Sequence, residues 1–480
     1  MANRPSLALL LALLLPLPAL AADAPTDTPL PIAPARTAPL TLDEVLASAR
    51  FHAPQVLEAL ARVRGAEGKL LSAEAAFDTV FSAQADTRLT GYYDGRDVEA
   101  KVTQPLADWG GYAYGSYRVS GGKFPIYEDQ RYTNQLGEIK AGAVLALMRD
   151  RMIDERRFAR TMAEADIALA DADRLMVAIG VQTRAIQAYN NWVVAGLRLG
   201  IYRDLLKLAE DRQSGFKRQV QEGARPSILL TENEQNILRR QTLVVQSEQA
   251  LAQAAQTLSL YLRDADGRPR VPDTARLPGA LPPPLRRPAQ PAAMLAARPD
   301  IRTIDIRMNQ ARQRVALDRN AFLPRLDLKV EASQDIGGYG FGGPSRSGTE
   351  SRVGLTFTLP LQQRAARGRI AQTNAELDAF KQRRRMLEDQ ILADVEGLNI
   401  AVTNTAKLAT LAADEASRAD AMAGAERRRF TLGASDFFLV NVREEAAADA
   451  RVRRLDAAFR MTVAHADLAA ATADLESLGL

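Results

Sequence analysis

Apolar side chains recur at every seventh position over part of the chain: Leu230, Ile237, Val244, Leu251 and Leu258. A seven-residue repeat sustained over that many turns marks the seam of a left-handed coiled coil. Residues 148–221 carry a helical pattern without a single proline, which at 1.5 Å per residue predicts a rod of about 110 Å. Further helices are expected over 41–76, 292–321, 364–430 and 436–476, the last with Val452, Leu455, Phe459 and Val463 on one stripe. Both long runs are crowded with alanine, so neighbouring helices can approach closely. Other segments alternate with period two. Leu326, Leu328 and Val330 interleave with Asp327, Lys329 and Glu331, and Val353, Leu355 and Phe357 follow a glycine-rich turn at 337–348. Residues 81–89, 98–103 and 139–147 alternate as well. Strands with one apolar and one charged face suit a barrel with lipid outside and water inside.

The pattern occurs twice. Residues 52–86 align without a gap on 297–331, Pro54 on Pro299, Arg62 on Arg307, Ala66 on Ala311 and Phe77 on Phe322. Each copy then runs through strands, a long helix, a glycine break (Gly223, Gly433) and a second helix. This predicts a duplicated, pseudo-symmetric architecture. The expected organisation is a signal peptide at 1–21, a Pro/Ala-rich tether at 22–40, repeat 1 at 41–262, a linker at 263–291 and repeat 2 at 292–476. The signal reading rests on Arg4, the apolar run 7–15 and Ala19-Leu20-Ala21. Beyond it no apolar run reaches 18 residues, so any membrane crossing must be made by strands. Aromatic residues gather at 92–132, including Trp109, Tyr112, Tyr114 and Tyr117, as in an interfacial girdle.

Composition narrows the function. The formal net charge is only +4 and both signs are interspersed, which speaks against a nucleic-acid surface. With no cysteine there is no disulfide and no thiolate chemistry. The two histidines, His52 and His465, lie far apart in sequence. Glu444-Glu445 and Asp414-Glu415 are adjacent and so face different ways on a helix, which is no basis for paired-carboxylate catalysis. No enzyme activity, cofactor or metal site is expected.

Several motifs in order carry a resemblance. They are Leu42-Asp43-Glu44-Val45, Arg298-Pro299-Asp300-Ile301, Phe322-Leu323-Pro324-Arg325-Leu326, Phe357-Thr358-Leu359-Pro360-Leu361, and residues 429–436 from Arg429 through Gly433 to Asp436. Over about 41–476 the chain resembles the outer membrane efflux protein (TolC) family. The resemblance implies duplicated helical hairpins that form a trimeric periplasmic α-barrel continuous with an outer-membrane β-barrel. It implies an exit duct of a tripartite efflux pump or type I secretion system, set in outer-membrane lipid. Its partners would be two further copies of the chain, a periplasmic adaptor protein and an inner-membrane transporter. It makes Gly223, Arg429, Gly433, Ser435 and Asp436 the candidate adaptor-docking tips. The competing reading is a periplasmic coiled-coil adaptor without a barrel of its own.

Two departures stand out. Some family members carry acidic rings six and nine positions after the second tip glycine, where this chain has Leu439 and Val442. The first copy also carries additional residues around 100–145 and offers four strand segments, near 79–91, 96–104, 111–120 and 136–147. Six strands per chain, and 18 in a trimer, are therefore expected, with a bulge at Gly115-Ser116 bringing Tyr112 and Tyr114 onto the face of Tyr117 and Val119; the alternative is that the extra residues fold as a cap above a 12-stranded barrel.

Overall fold

The computed structural model describes residues 38–286, 294–295, 298–340 and 348–480. The expected signal segment, most of the expected tether, part of the expected linker and the centre of the glycine-rich loop lie outside these residues.

Two helices, α1 (Leu42–His52) and α2 (Pro54–Glu74), stand where one was expected. Pro54 lacks a donor and forces Ala53 to an extended backbone, so the first helix stops and the second restarts with proline in its opening turn. Four strands follow: β1 (Val80–Thr87), β2 (Arg96–Pro105), β3 (Gly111–Gly121) and β4 (Glu138–Ala146). The long helix α3 spans Glu155–Gln221, shorter at its start than the pattern suggested. Residues 148–154 are irregular: Asp150 has φ +67°, its amide donates to Asn320 Oδ1 at 3.1 Å, and Asp154 caps α3 through Arg157 N at 2.9 Å. Then come α4 (Ile228–Ser259), α5 (Pro299–Asn320), β5 (Arg325–Asp335), β6 (Thr349–Thr358), α6 (Arg364–Thr431) and α7 (Phe437–Ala471).

The duplication is visible in these boundaries. Pro54 and Pro299 open α2 and α5, and the aligned positions Val80 and Arg325 open β1 and β5. Helix α3 has 67 residues and α6 has 68. Antiparallel hairpins α3–α4 and α6–α7 pack together through α3 and α7, while α2 and α5 lie along the long helices. On the seam of α4, Val244, Leu251 and Leu258 are buried and Leu230 and Ile237 half-buried. The main core sits midway along α3, where Val181, Ile186, Trp192 and Val193 meet Val45, Leu46 and Leu258. A second cluster joins Ile301, Ile391, Val395, Val402 and Leu468 in repeat 2.

All six strands belong to one antiparallel sheet in the order β1-β2-β3-β4-β5-β6, so β4 of repeat 1 pairs directly with β5 of repeat 2. The expected bulge is absent: β3 keeps an unbroken register with both neighbours. Tyr112 and Tyr114 therefore face opposite to Tyr117 and Val119, because side chains alternate strictly in a regular strand. Among the described residues no helix is long and apolar enough to cross a membrane.

Candidate functional site

The register sorts the sheet into two faces. Directly opposed residues of an antiparallel pair share a face, so Phe81, Val102, Gly115, Ala141, Ala332 and Ser351 form one row across all six strands. The rows beside it continue with Val98 and Val119, with Ala143, Val330 and Val353, and with Leu145, Leu328 and Leu355. Of these, Phe81, Val98, Val353 and Leu355 are more than half exposed, with none of the described residues covering them. The opposite face is charged and internally paired. Tyr114 lies across Gly142, where any Cβ would collide with its ring, and donates to Glu331 at 2.6 Å. Lys101 stacks over the same ring at 4.7 Å, and Lys329 pairs with Glu331 at 2.6 Å. Among the described residues, strands β1 and β6 each have one partner, which leaves both edges of the sheet open.

At the far end of the helices the two tips are built alike. Gly223 and Gly433 take φ +70° and +76°, the left-handed backbone that favours glycine. Ala224 N donates to Gln219 O at 2.8 Å and Gly223 N to Val220 O at 3.0 Å; Ala434 and Gly433 repeat both bonds with Arg429 and Phe430 at 2.9 and 3.0 Å. This double closure satisfies the last helical carbonyls and turns the chain sharply. The other expected tip residues also have local tasks. Arg429 reaches Glu426 at 3.3 Å and Ala434 O at 3.2 Å, Ser435 donates to Glu426, and Asp436 caps α7 by accepting from Leu439 N at 2.7 Å. Leu439 is half-buried, whereas Val442 and its neighbour Phe438 are exposed.

The structure adds what joins the tips. Phe216 of α3 is buried edge-on against Phe437 at 5.0 Å and Phe430 at 6.2 Å, and Arg225 covers Phe430 at 4.9 Å. Farther along the helices Glu444 is buried between two arginines, Arg212 at 2.5 Å and Arg240 at 3.2 Å. Asn441 accepts from Arg212 at 2.9 Å, and Leu205 O accepts from Arg240 at 2.7 Å. Burial pushes the Arg240 guanidinium down from the usual arginine range, and Glu444 opposes that shift. The network ties α3 and α4 of repeat 1 to α7 of repeat 2. Its signal in the sequence is the heptad Asn233, Arg240, Ser247, a polar row running three positions behind the leucine seam. All three are buried. Among the described residues no group of His, Asp and Glu side chains is arranged to hold a metal ion.

Residues 291–474 match the family model described as outer membrane efflux protein. No curated protein matches the chain in sequence. Among solved structures the fold is similar to the CmeC outer membrane channel of Campylobacter jejuni, with 14% identity over 90% of this chain and 85% of that one and a TM-score of 0.61. It is similar to the outer membrane protein VceC of Vibrio cholerae, with 14% identity, 91% and 96% coverage and a TM-score of 0.59. The open state of the MtrE outer membrane channel of Neisseria gonorrhoeae matches at 17% identity, 92% and 93% coverage and a TM-score of 0.60.

Proposed function

We propose, from the match of residues 291–474 to the outer membrane efflux protein model, that the chain is the outer-membrane exit duct of a tripartite efflux pump or a type I secretion system. The observation that carries this reading is the six-stranded sheet with one uncovered apolar face, one charged face and two open edges. An apolar face that none of the described residues covers calls for lipid, and open edges call for further strands. A periplasmic adaptor would have no use for such a sheet. Three copies close the barrel, their helical hairpins form the tunnel through the periplasm, and the glycine tips meet the adaptor of an inner-membrane transporter. With six strands each, the trimer closes at 18 strands, and diameter grows roughly linearly with strand number.

Fractionation with cross-linking in native membranes tests the duct: trimers in the outer membrane are expected, and a soluble periplasmic monomer sinks the reading. Ala113→Cys and Ala141→Cys test the strand number, since both positions lie on the apolar face of β3 and β4. Labelling of both by a lipid-phase reagent supports 18 strands, and labelling of both from water would leave 12.

A further inference from the structure

Barrels of 16–18 strands leave an aqueous channel that strands alone do not fill, so an 18-stranded duct needs another element to limit its outer mouth. The connection between β3 and β4, residues 122–137, is placed to do so. Instead of rising clear of the strands it lies across their charged face. Arg131 donates to Asp97 of β2 at 3.1 Å and sits 3.8 Å from Asp86 of β1. Arg118 of β3 donates to Gln130 O at 2.7 Å. Thr133 N donates to the Ser120 hydroxyl of β3 at 2.8 Å, and Ser120 N returns a bond to Thr133 Oγ1 at 3.0 Å. Asn134 N donates to Asp335 of β5 at 3.1 Å. By register, every one of these strand partners is on the face of Lys101 and Glu331.

The loop is also folded within itself. Phe124 is buried edge-on against Tyr132 at 5.2 Å and presses on Gly95, where a Cβ would lie 2.6 Å from its ring. Glu128 is held by Arg88 at 2.6 Å, and Thr133 and Asn134 are buried. Ile126, Tyr127 and Leu136 stay largely uncovered. Anchors on β1, β2, β3 and β5 with an internal aromatic lock describe a fixed inward strap, not a free surface loop.

We propose that residues 122–137 form the constriction of the duct, three copies folding in from the barrel wall to set the size limit of what leaves. This rests on the trimeric outer-membrane reading. The chain has no cysteine, so introduced thiols are the only reactive ones. In Ser120→Cys/Thr133→Cys the replaced hydroxyl oxygens are 3.3 Å apart, and an intrachain disulfide should form in intact trimers. Lys101→Cys, on the charged face of β2, is then probed on whole cells with two maleimides. A small membrane-impermeant reagent should label it whether or not residues 123–135 are replaced by a short Gly-Ser linker. A bulky polyethylene-glycol maleimide should label it an order of magnitude faster in the shortened chain. Equal rates with the bulky reagent, or a cysteine pair that stays reduced under oxidising conditions, overturn the constriction. If the small reagent fails in both chains, the charged face is not a lumen, and the duct reading falls with it.

Discussion

Repeat 1 and repeat 2 agree in their helices and disagree in their strands. Their long helices differ by one residue, 67 against 68, and their returning helices by three, 32 against 35. Yet among the described residues repeat 1 supplies four strands and repeat 2 two. The difference shows which part of the fold tolerates length change. Helices packed side by side along their whole length must end together, or the tips no longer meet and their buried contacts are lost. A sheet grows at no such cost when strands are added in pairs, because each extra hairpin returns the chain to the side it left. The added strands keep the two-faced pattern, so the insertion enlarges the sheet without altering its chemistry.

If the helical agreement is held by the contacts between the repeats, breaking those contacts should do the most damage. Glu444→Gln leaves Arg212 and Arg240 buried without their counter-charge and should cost about 3–5 kcal/mol, measured as loss of trimer resistance to heat or denaturant. Phe216→Ala removes the ring on which Phe430 and Phe437 pack, and about 3 kcal/mol is expected. Both substitutions should loosen the tips while leaving the sheet intact, and a sheet that unfolds first would show that the repeats are held elsewhere. Gly223→Ala and Gly433→Ala sharpen the comparison. A Cβ added at either glycine would meet no other atom within 4 Å, so only the left-handed backbone is strained, at about 1 kcal/mol each. Equal stability losses with unequal export would mark one tip as the main docking site. Arg429→Ala should change stability least, by less than about 1 kcal/mol, because the Arg429 side chain is itself exposed and the buried Glu426 keeps its bond from Ser435. A large export defect from this variant would locate adaptor contact at the second tip, and normal export would remove Arg429 from the docking surface.

Much of this was legible in the sequence because period and punctuation are local. Leu326 through Glu331 announce a two-faced strand, and Gly223 and Gly433 announce the turns that end two long helices. The extra strands were legible for the same reason, although Tyr112 and Tyr114 misled: their apolar rings suggested the lipid side, whereas Tyr114 uses its hydroxyl on Glu331 in the charged face. Helix boundaries set by distant partners were not legible. Residues 148–154 read as helix until Asn320 takes the amide of Asp150. At the candidate site Gly223 and Gly433 stand at the helix turns, but no local pattern joins Arg212, Arg240 and Glu444. Their role depends on three helices meeting, two of them more than 200 positions apart in sequence.

The open edges of β1 and β6 also govern how the molecule comes into being. A single copy exposes two unpaired rows of backbone donors and acceptors beside an apolar face, a surface prone to wrong pairing. In the proposed trimer, correct closure is a three-body event, so its yield would fall steeply as copies become scarce, while misassociation of two copies would fall less steeply. Biogenesis is therefore a race that holding factors would favour by shielding the edges until copies meet. Register narrows the outcome further, because a slip of one residue between neighbouring copies would turn the apolar row of one sheet into line with the charged row of the next. Only even offsets join the copies productively.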